Sequence, residues 1–313
     1  MTDLSNEPER ASPDPKRVAM GIRRRVLEHT LKNNGGYLSQ ACSSAEILAT
    51  LYTRVMRLGE SVGPSVPLPF AGPPGPNNPS SFTGAGYNGE KAPNLDRFIF
   101  SPVHYALVLY ATLIEVGRLD EGALEHFNKD GSTVELIGAE HSPGHEVTAG
   151  SLGQAISQAA GIAMARKLKG ETGRVFLFMS DGEFHEGQVW EALESMSFYE
   201  LENMVIYVDM NGQCCDGAME SVMNVAPLDE RIAGFGAAVR IADGHDVSAL
   251  AAPATLPHPG RPLVVLAKTD PCHEMPLLRS RIPKLHYVRF KTADERRAYE
   301  SRLAQLDAEA RRG

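Results

Sequence analysis

The sequence predicts an α/β fold: a central, mainly parallel sheet with helices on both faces. Three observations carry this. Residues 174–217 read as strand, acidic turn, helix, strand, polar turn. The same alternation of short apolar runs and amphipathic stretches continues on both sides, to a last apolar run over 263–267. The chain has 313 residues, 42% hydrophobic and 22% charged, which suits a soluble globular protein with room for one large α/β domain.

The central unit comes first. Residues 175–179 form an apolar run with a Phe at every second place, and 205–208 form another. The helix between them starts near Glu186 and carries Val189, Trp190, Leu193 and Met196 on one stripe. Parallel strands joined by a helix make a right-handed crossover, and ligands collect at the carboxyl ends of such strands. Ser180-Asp181-Gly182 follows the first strand and 209–217 the second, so Asp181 and Asn211 become neighbours although they are 30 positions apart in sequence. One carboxylate, one amide oxygen and flexible backbone make a poor all-protein metal cage. They make a reasonable half-site for Mg²⁺ or Ca²⁺ whose other ligands are phosphate oxygens.

From the N-terminus, residues 1–15 are polar and proline-containing and read as a disordered tail. A helix is expected over 16–33, stopped by Asn33-Asn34-Gly35-Gly36. Residues 37–40 read as a loop. Ser43-Ser44-Ala45-Glu46 reads as a capping box for a helix reaching about Arg57. Residues 59–93 are a Pro/Gly-rich insertion with little periodicity: a lid, a partner-contacting arm or a disordered insertion. Exposure of Phe70, Phe82 and Tyr87 would favour partner contact. A strand over 97–100, a helix to Gly117 and a short helix over 120–127 follow. A glycine-rich loop over 136–145 and a turn over 148–154 lead into a small-residue helix over 155–169. After the central unit come a short helix over 231–236, a strand over 237–241, a turn 243–246 capping a helix, and the strand 263–267. An irregular basic tail, 268–290, and an exposed charged helix over 291–313 end the chain.

The net charge of −8 argues against a nucleic-acid groove or an anionic membrane surface. Cys42, Cys214, Cys215 and Cys272 show no zinc spacing and read as free thiols in a reducing compartment. The first residues lack the apolar core of a signal peptide, and no window reaches the length of a membrane helix, so a cytoplasmic location is expected.

DGEFHEGQVWEA, followed thirty positions after its Asp by Asn211 and then by Asp216-Gly217, is similar to the thiamine-diphosphate signature of the transketolase family. HSPGHEVTAGSLGQAISQAAGIAMA (141–165) resembles the family's PGVEVTTGPLGQG helix start. DRFIFSPVHYALVLYATLIEVG (96–117) resembles DRFVLSKGHAALALYA, and GGYLSQACSSAEILATLY (35–52) resembles the GGHLG…LS…DIL segment. The segments keep one order, and the resemblance spans roughly 16–290. It implies a thiamine-diphosphate-binding fold of the diphosphate-binding type. It also implies a separate pyrimidine-binding subunit that supplies the activating glutamate, in an α2β2 heterotetramer that moves a two-carbon ketol unit from a ketose donor to an aldehyde.

The residue roles follow from the resemblance alone. Asp181 and Asn211 are metal ligands, and Gln213 gives a backbone carbonyl. Gly182 and Glu183 meet the diphosphate, and Gly150 and Leu152 meet the aminopyrimidine ring. His104 touches the diphosphate and the reacting carbon, and His286 is the late histidine near the diphosphate. Each has a plainer reading beside it: Asp181 and Asn211 as turn formers, Leu152 as core packing, His104 as a structural helix-start residue. Glu186 either reaches toward the partner domain or is an acidic first-turn residue. Either His141 or His145 could stand for another family histidine, and His245 reads as part of a cap turn. Two departures matter. Ser180 replaces the first Gly of the family's GDG. Tyr37 replaces the GGH histidine, and a phenol cannot shuttle protons near neutral pH as imidazole can, which bears on substrate rather than cofactor. The alternatives are the alpha subunit of a 2-oxo-acid dehydrogenase or acyloin-forming enzyme, which Gly187-Gln188-Val189-Trp190-Glu191-Ala192 disfavours, and a non-catalytic scaffold.

Overall fold

A computed structural model describes residues 12–73 and 75–311. Two helices open the chain, α1 (Pro15–Asn33) and α2 (Leu38–Thr50). After the 59–93 segment come β1 (Arg97–Phe100), α3 (Ala106–Glu115), α4 (Ala155–Leu168), β2 (Val175–Ser180), α5 (Gly187–Phe198) and β3 (Met204–Met210). A small hairpin, β4 (Gln213–Cys214) and β5 (Gly217–Ala218), is followed by α6 (Met219–Val222), α7 (Leu228–Gly234), β6 (Ala238–Asp243), α8 (Val247–Ala251), β7 (Leu263–Lys268) and α9 (Ala293–Ala310).

The main sheet has the order β1-β2-β3-β7-β6, and every pairing in it is parallel. Alternate strand residues face opposite layers, as the pleat requires. Phe98, Phe100, Phe176, Phe178, Val205, Tyr207 and Val265 pack under α1, α2, α3, α8 and α9. Ile99, Val175, Leu177, Met179, Ile206, Val208 and Val264 pack under α4, α5 and α7. The predicted α/β class, with helices on both faces of a parallel sheet, is therefore the observed one. The small residues of α4 (Ala155, Ala159, Ala163) let it lie close against this second face.

Several local expectations are corrected. Residues 38–40 are the first turn of α2, so Ser43 and Ser44 sit inside the helix and cap nothing. Ser44 Oγ donates back to the Gln40 carbonyl at 2.6 Å. Glu46 pairs with Arg23 and, at 3.1 Å, with His245 Nδ1. His245 is thus a tertiary contact, its Nε2 accepting from the Asp270 N–H, while Asp246 is the cap of α8. The inner end of the expected tail is engaged: Ser12 Oγ donates to the Thr53 carbonyl and Asp14 caps α1, while 1–11 lie outside the described residues. Tyr87 is buried, and only Phe70 (40%) and Phe82 (51%) of the three aromatics are exposed. The 59–93 segment is irregular, as expected, but anchored: Phe70 N–H donates to Gly131 O, Thr133 Oγ1 to Leu68 O, and Arg118 to the carbonyls of Gly59 and Tyr87. The terminal helix α9 is charged but not free, since Tyr299 and Leu306 are buried. No helix among the described residues is long and apolar enough to cross a membrane.

Candidate functional site

The register of β2 against β3 sets Ser180 beside Asp209, so both strands end together and their following turns meet. After β2 the chain enters a 3₁₀ turn, Asp181–His185. Glu183 reaches back with both oxygens: one accepts from the Ser180 N–H at 2.9 Å, the other from Ser101 Oγ and from the Gly153 N–H at 3.1 Å. It is fully buried, and burial pushes its carboxyl up against the pull of those donors. The carboxylate expected at the diphosphate is therefore occupied within the chain. It binds the ends of β1 and β2 to the turn before α4.

Asp181 is 2% exposed. Its Oδ2 accepts from the Gly212 N–H at 2.8 Å, while Oδ1 is buried without a hydrogen-bond partner. Burial, with Asp209 adding a second negative charge, pushes its carboxyl up to about 8. The Gln213 amide oxygen is also buried and unpartnered. Asn211 Oδ1 accepts from the Gln213 N–H at 2.9 Å, and its amide nitrogen faces Tyr105 Oη at 2.8 Å and Asp209 Oδ2 at 3.1 Å. Beside them, the space a side chain at Gly182 would enter is open. Orphaned buried oxygens next to an open cradle are what a hard cation with a phosphate group would satisfy, so the residues fit Mg²⁺ or Ca²⁺ with a diphosphate.

A second cluster adjoins the first through Tyr105, whose ring lies 4.7 Å from that of His104. His104 lies 4.9 Å from His286 and 6.2 Å from Tyr37, and Tyr37 lies 5.6 Å from His286 and 5.0 Å from Tyr287. Burial, then His286, drives the His104 imidazole down to about 3, and burial lowers His286 against the opposing charge of Asp216. Both rings are therefore neutral near pH 7. Backbone stitching brings the late segment here. Gly36 and Val288 form an antiparallel bridge, Ser39 Oγ donates to Leu285 O at 2.9 Å, and Gln40 Nε2 donates to His286 O at 3.2 Å. Next to Tyr37 and Tyr287 lies a cavity of about 330 Å³, walled also by Asn33, Leu107, Phe127 and Leu136 and by no lysine, arginine or carboxylate.

The structure thus gathers Asp181, Gly182, Asn211 and Gln213, and through Tyr105 it adds His104 and His286. Gly150 and Leu152 lie in the turn before α4. Gly150 backs onto Ile137 too closely for a side chain, Leu152 is half-buried, and Gly153, at φ +76°, ties the turn to Glu183. Glu186 is exposed at the start of α5. His141 and His145 have other neighbours: His141 pairs with Glu135 and Phe70, and His145 packs on Phe100 and Tyr110. Sequence reasoning missed Asp209, Tyr105 and Ser43. Their one available signal was a carboxylate at the end of a strand, two residues before the Asn.

Residues 85–270 match the family model described as the thiamine diphosphate binding domain of transketolase. A transketolase family protein of Sinorhizobium fredii is 33% identical over 275 residues, 85% of this chain and 88% of the relative. An apulose-4-phosphate transketolase subunit of Actinobacillus succinogenes is 28% identical over 81% of this chain and 83% of its own length. Transketolase-like protein 2 of Mus musculus is 33% identical, but the chain spans only 33% of that longer protein. Among solved structures, the transketolase of Campylobacter jejuni superposes with a TM-score of 0.66 at 19% identity, over 95% of this chain and 47% of the other. That likeness speaks for the fold.

His145 supplies a pH test. It is fully buried, and burial holds its imidazole down at about 4 against an ordinary 6.5. Between those values the unfolded chain binds a proton that the folded chain refuses, so stability falls as pH drops from 6.5 toward 4. In urea denaturation across that window, His145→Gln is expected to make the fall shallower by up to about 1.4 kcal/mol per pH unit. An unchanged slope would assign the fall to other groups.

Proposed function

The chain belongs to the transketolase family, and we propose that it is the cofactor-holding subunit of a two-chain enzyme that transfers a two-carbon ketol unit from a ketose-type donor to an aldehyde. The observation that carries this is the meeting of two features at the end of one sheet. One is an oxygen-lined half-site (Asp181, Asn211, Gln213) and the other is a pair of neutral imidazoles (His104, His286), with Tyr105 touching both.

In this reading Asp181, Asn211 and Gln213 hold Mg²⁺, or Ca²⁺, against a diphosphate, and Gly182 leaves room for the phosphates. Thiamine diphosphate, when bound, supplies the electron sink for cleaving the bond beside a ketone. The protein's own part is orientation and proton handling. His104 and His286, held uncharged by burial, offer neutral ring nitrogens that can hydrogen-bond a substrate hydroxyl and steady the oxygen on which charge develops. Gly150 and Leu152 offer a backbone edge and an apolar face to an aromatic ring. The uncharged cavity by Tyr37 suits a hydroxylated, non-ionic part of a substrate.

The need for a partner is supported by the Actinobacillus relative, whose name describes one subunit of a transketolase and which matches over most of its length. We assign that partner the pyrimidine-binding domain and the assembly an α2β2 heterotetramer. A cytoplasmic location fits the four free cysteines.

Two assays test this. The full chain alone should show no ketol transfer, and transfer should appear on adding a separately produced pyrimidine-binding subunit. Robust activity of the chain alone would refute the two-chain reading. Tyr37→His should shift the ranking of ketose and aldehyde substrates in kcat/KM while changing thiamine-diphosphate affinity less than about threefold. The reverse pattern would remove Tyr37 from the substrate pocket.

A further inference from the structure

An asparagine serves a cation only through its amide oxygen, and the two ends of an amide have nearly the same shape. We propose that Asp209 is the positioning residue that fixes which end of Asn211 faces the metal, acting through a one-way chain of hydrogen bonds. This rests on the metal reading of Asp181 and Asn211.

Asp209 lies near the end of β3 and has no exposed surface. Its Oδ2 accepts from Ser43 Oγ at 2.5 Å, from Tyr105 Oη at 2.8 Å and from Asn211 Nδ2 at 3.1 Å. Its Oδ1 accepts from Thr269 Oγ1 at 2.5 Å. A carboxylate can only accept, and a phenol has one proton to give. With the Tyr105 proton committed to Asp209, Tyr105 Oη can only accept from Asn211, at 2.8 Å. Ser43 Oγ, likewise committed, receives the same amide nitrogen at 3.4 Å. Three acceptors therefore face Asn211 from this side. Turning the amide over would set its oxygen against all three, so the nitrogen stays inward and Oδ1 points away, where it accepts from the Gln213 N–H.

The direction of the chain depends on Asp209 being unable to donate. In Asp209→Asn the new amide can donate to Tyr105, the Tyr105 proton can turn toward residue 211, and both orientations of Asn211 become acceptable. The substitution also removes a charge near the cation, so charge and orientation must be separated. A carboxylate at 211 has no wrong end. In an Asn211→Asp background, orientation no longer matters, whereas a charge effect would persist.

The test uses the full chain with thiamine diphosphate, titrating Mn²⁺ and reading bound metal by electron paramagnetic resonance, with metal-free melting curves to verify folding. Asp209→Asn should weaken Mn²⁺ binding at least about tenfold in the Asn211 protein and less than about threefold in the Asn211→Asp protein. Tyr105→Phe, which keeps both carboxylates but removes one of the three acceptors, should give a smaller loss than Asp209→Asn in the first background and none in the second, and it serves if Asp209→Asn does not fold. Equal losses in both backgrounds, or no loss in either, overturn the proposal and leave the metal site standing. Failure of the unsubstituted chain to bind Mn²⁺ overturns the metal reading itself.

Discussion

Two carboxylates, Asp181 and Asp209, are buried together at the ends of neighbouring parallel strands, and among the described residues neither is paired with a lysine or arginine. Such a pair is costly in a low-dielectric interior unless something compensates it. Asp209 is compensated from within by four side-chain donors. Asp181 is not: one oxygen has a backbone N–H and the other has nothing. The site is organised around that imbalance. On the proposed reading, the unsatisfied Asp181 oxygen beside the open space at Gly182 is the place that a cation would fill.

The surrounding polar residues tie this arrangement to the rest of the chain. Glu183 binds three segments at the strand ends, its two oxygens accepting from Ser101, Gly153 and Ser180. On the other side, the stitch between the start of α2 and residues 285–288 carries His286 and Tyr287 to Tyr37 and His104. The helix α9 supports that stitch through the Arg281–Glu295 pair and the packing of Phe290 on Tyr299. The Asp181–Asn211 cluster and the imidazole pair thus rest on separate scaffolds that meet at Tyr105.

Periodicity revealed the strands and helices because each buries a face whose pattern is local: Phe176 and Phe178 two apart, Val189 and Leu193 four apart. It also placed Asp181 beside Asn211, since parallel strands joined by a crossover end together. What it missed was set by distant partners. Ser43 and Glu46 have capping-box spacing, yet Ser43 bonds Asp209, 166 positions away, and Glu46 bonds His245, 199 away. No window around Ser43 contains that information. The same holds for Tyr87, an aromatic in a proline-rich stretch that folds inward, and for α9, whose charges conceal a buried Tyr299 and Leu306. The likeness to a known family supplied roles that spacing could not, and the hydrogen bonds add a structural role for the Glu183 side chain that neither had suggested.

On the proposed reading, Asp181 and its neighbours form a cation-dependent clamp for a diphosphate. Calorimetric titration of the full chain with thiamine diphosphate and with unphosphorylated thiamine, each with and without Mg²⁺, tests it most directly. Binding is predicted for thiamine diphosphate with Mg²⁺ and should be lost without the metal, without the phosphates, or in Asp181→Ala. Equal affinity with and without Mg²⁺, or undiminished binding by Asp181→Ala, would contradict it.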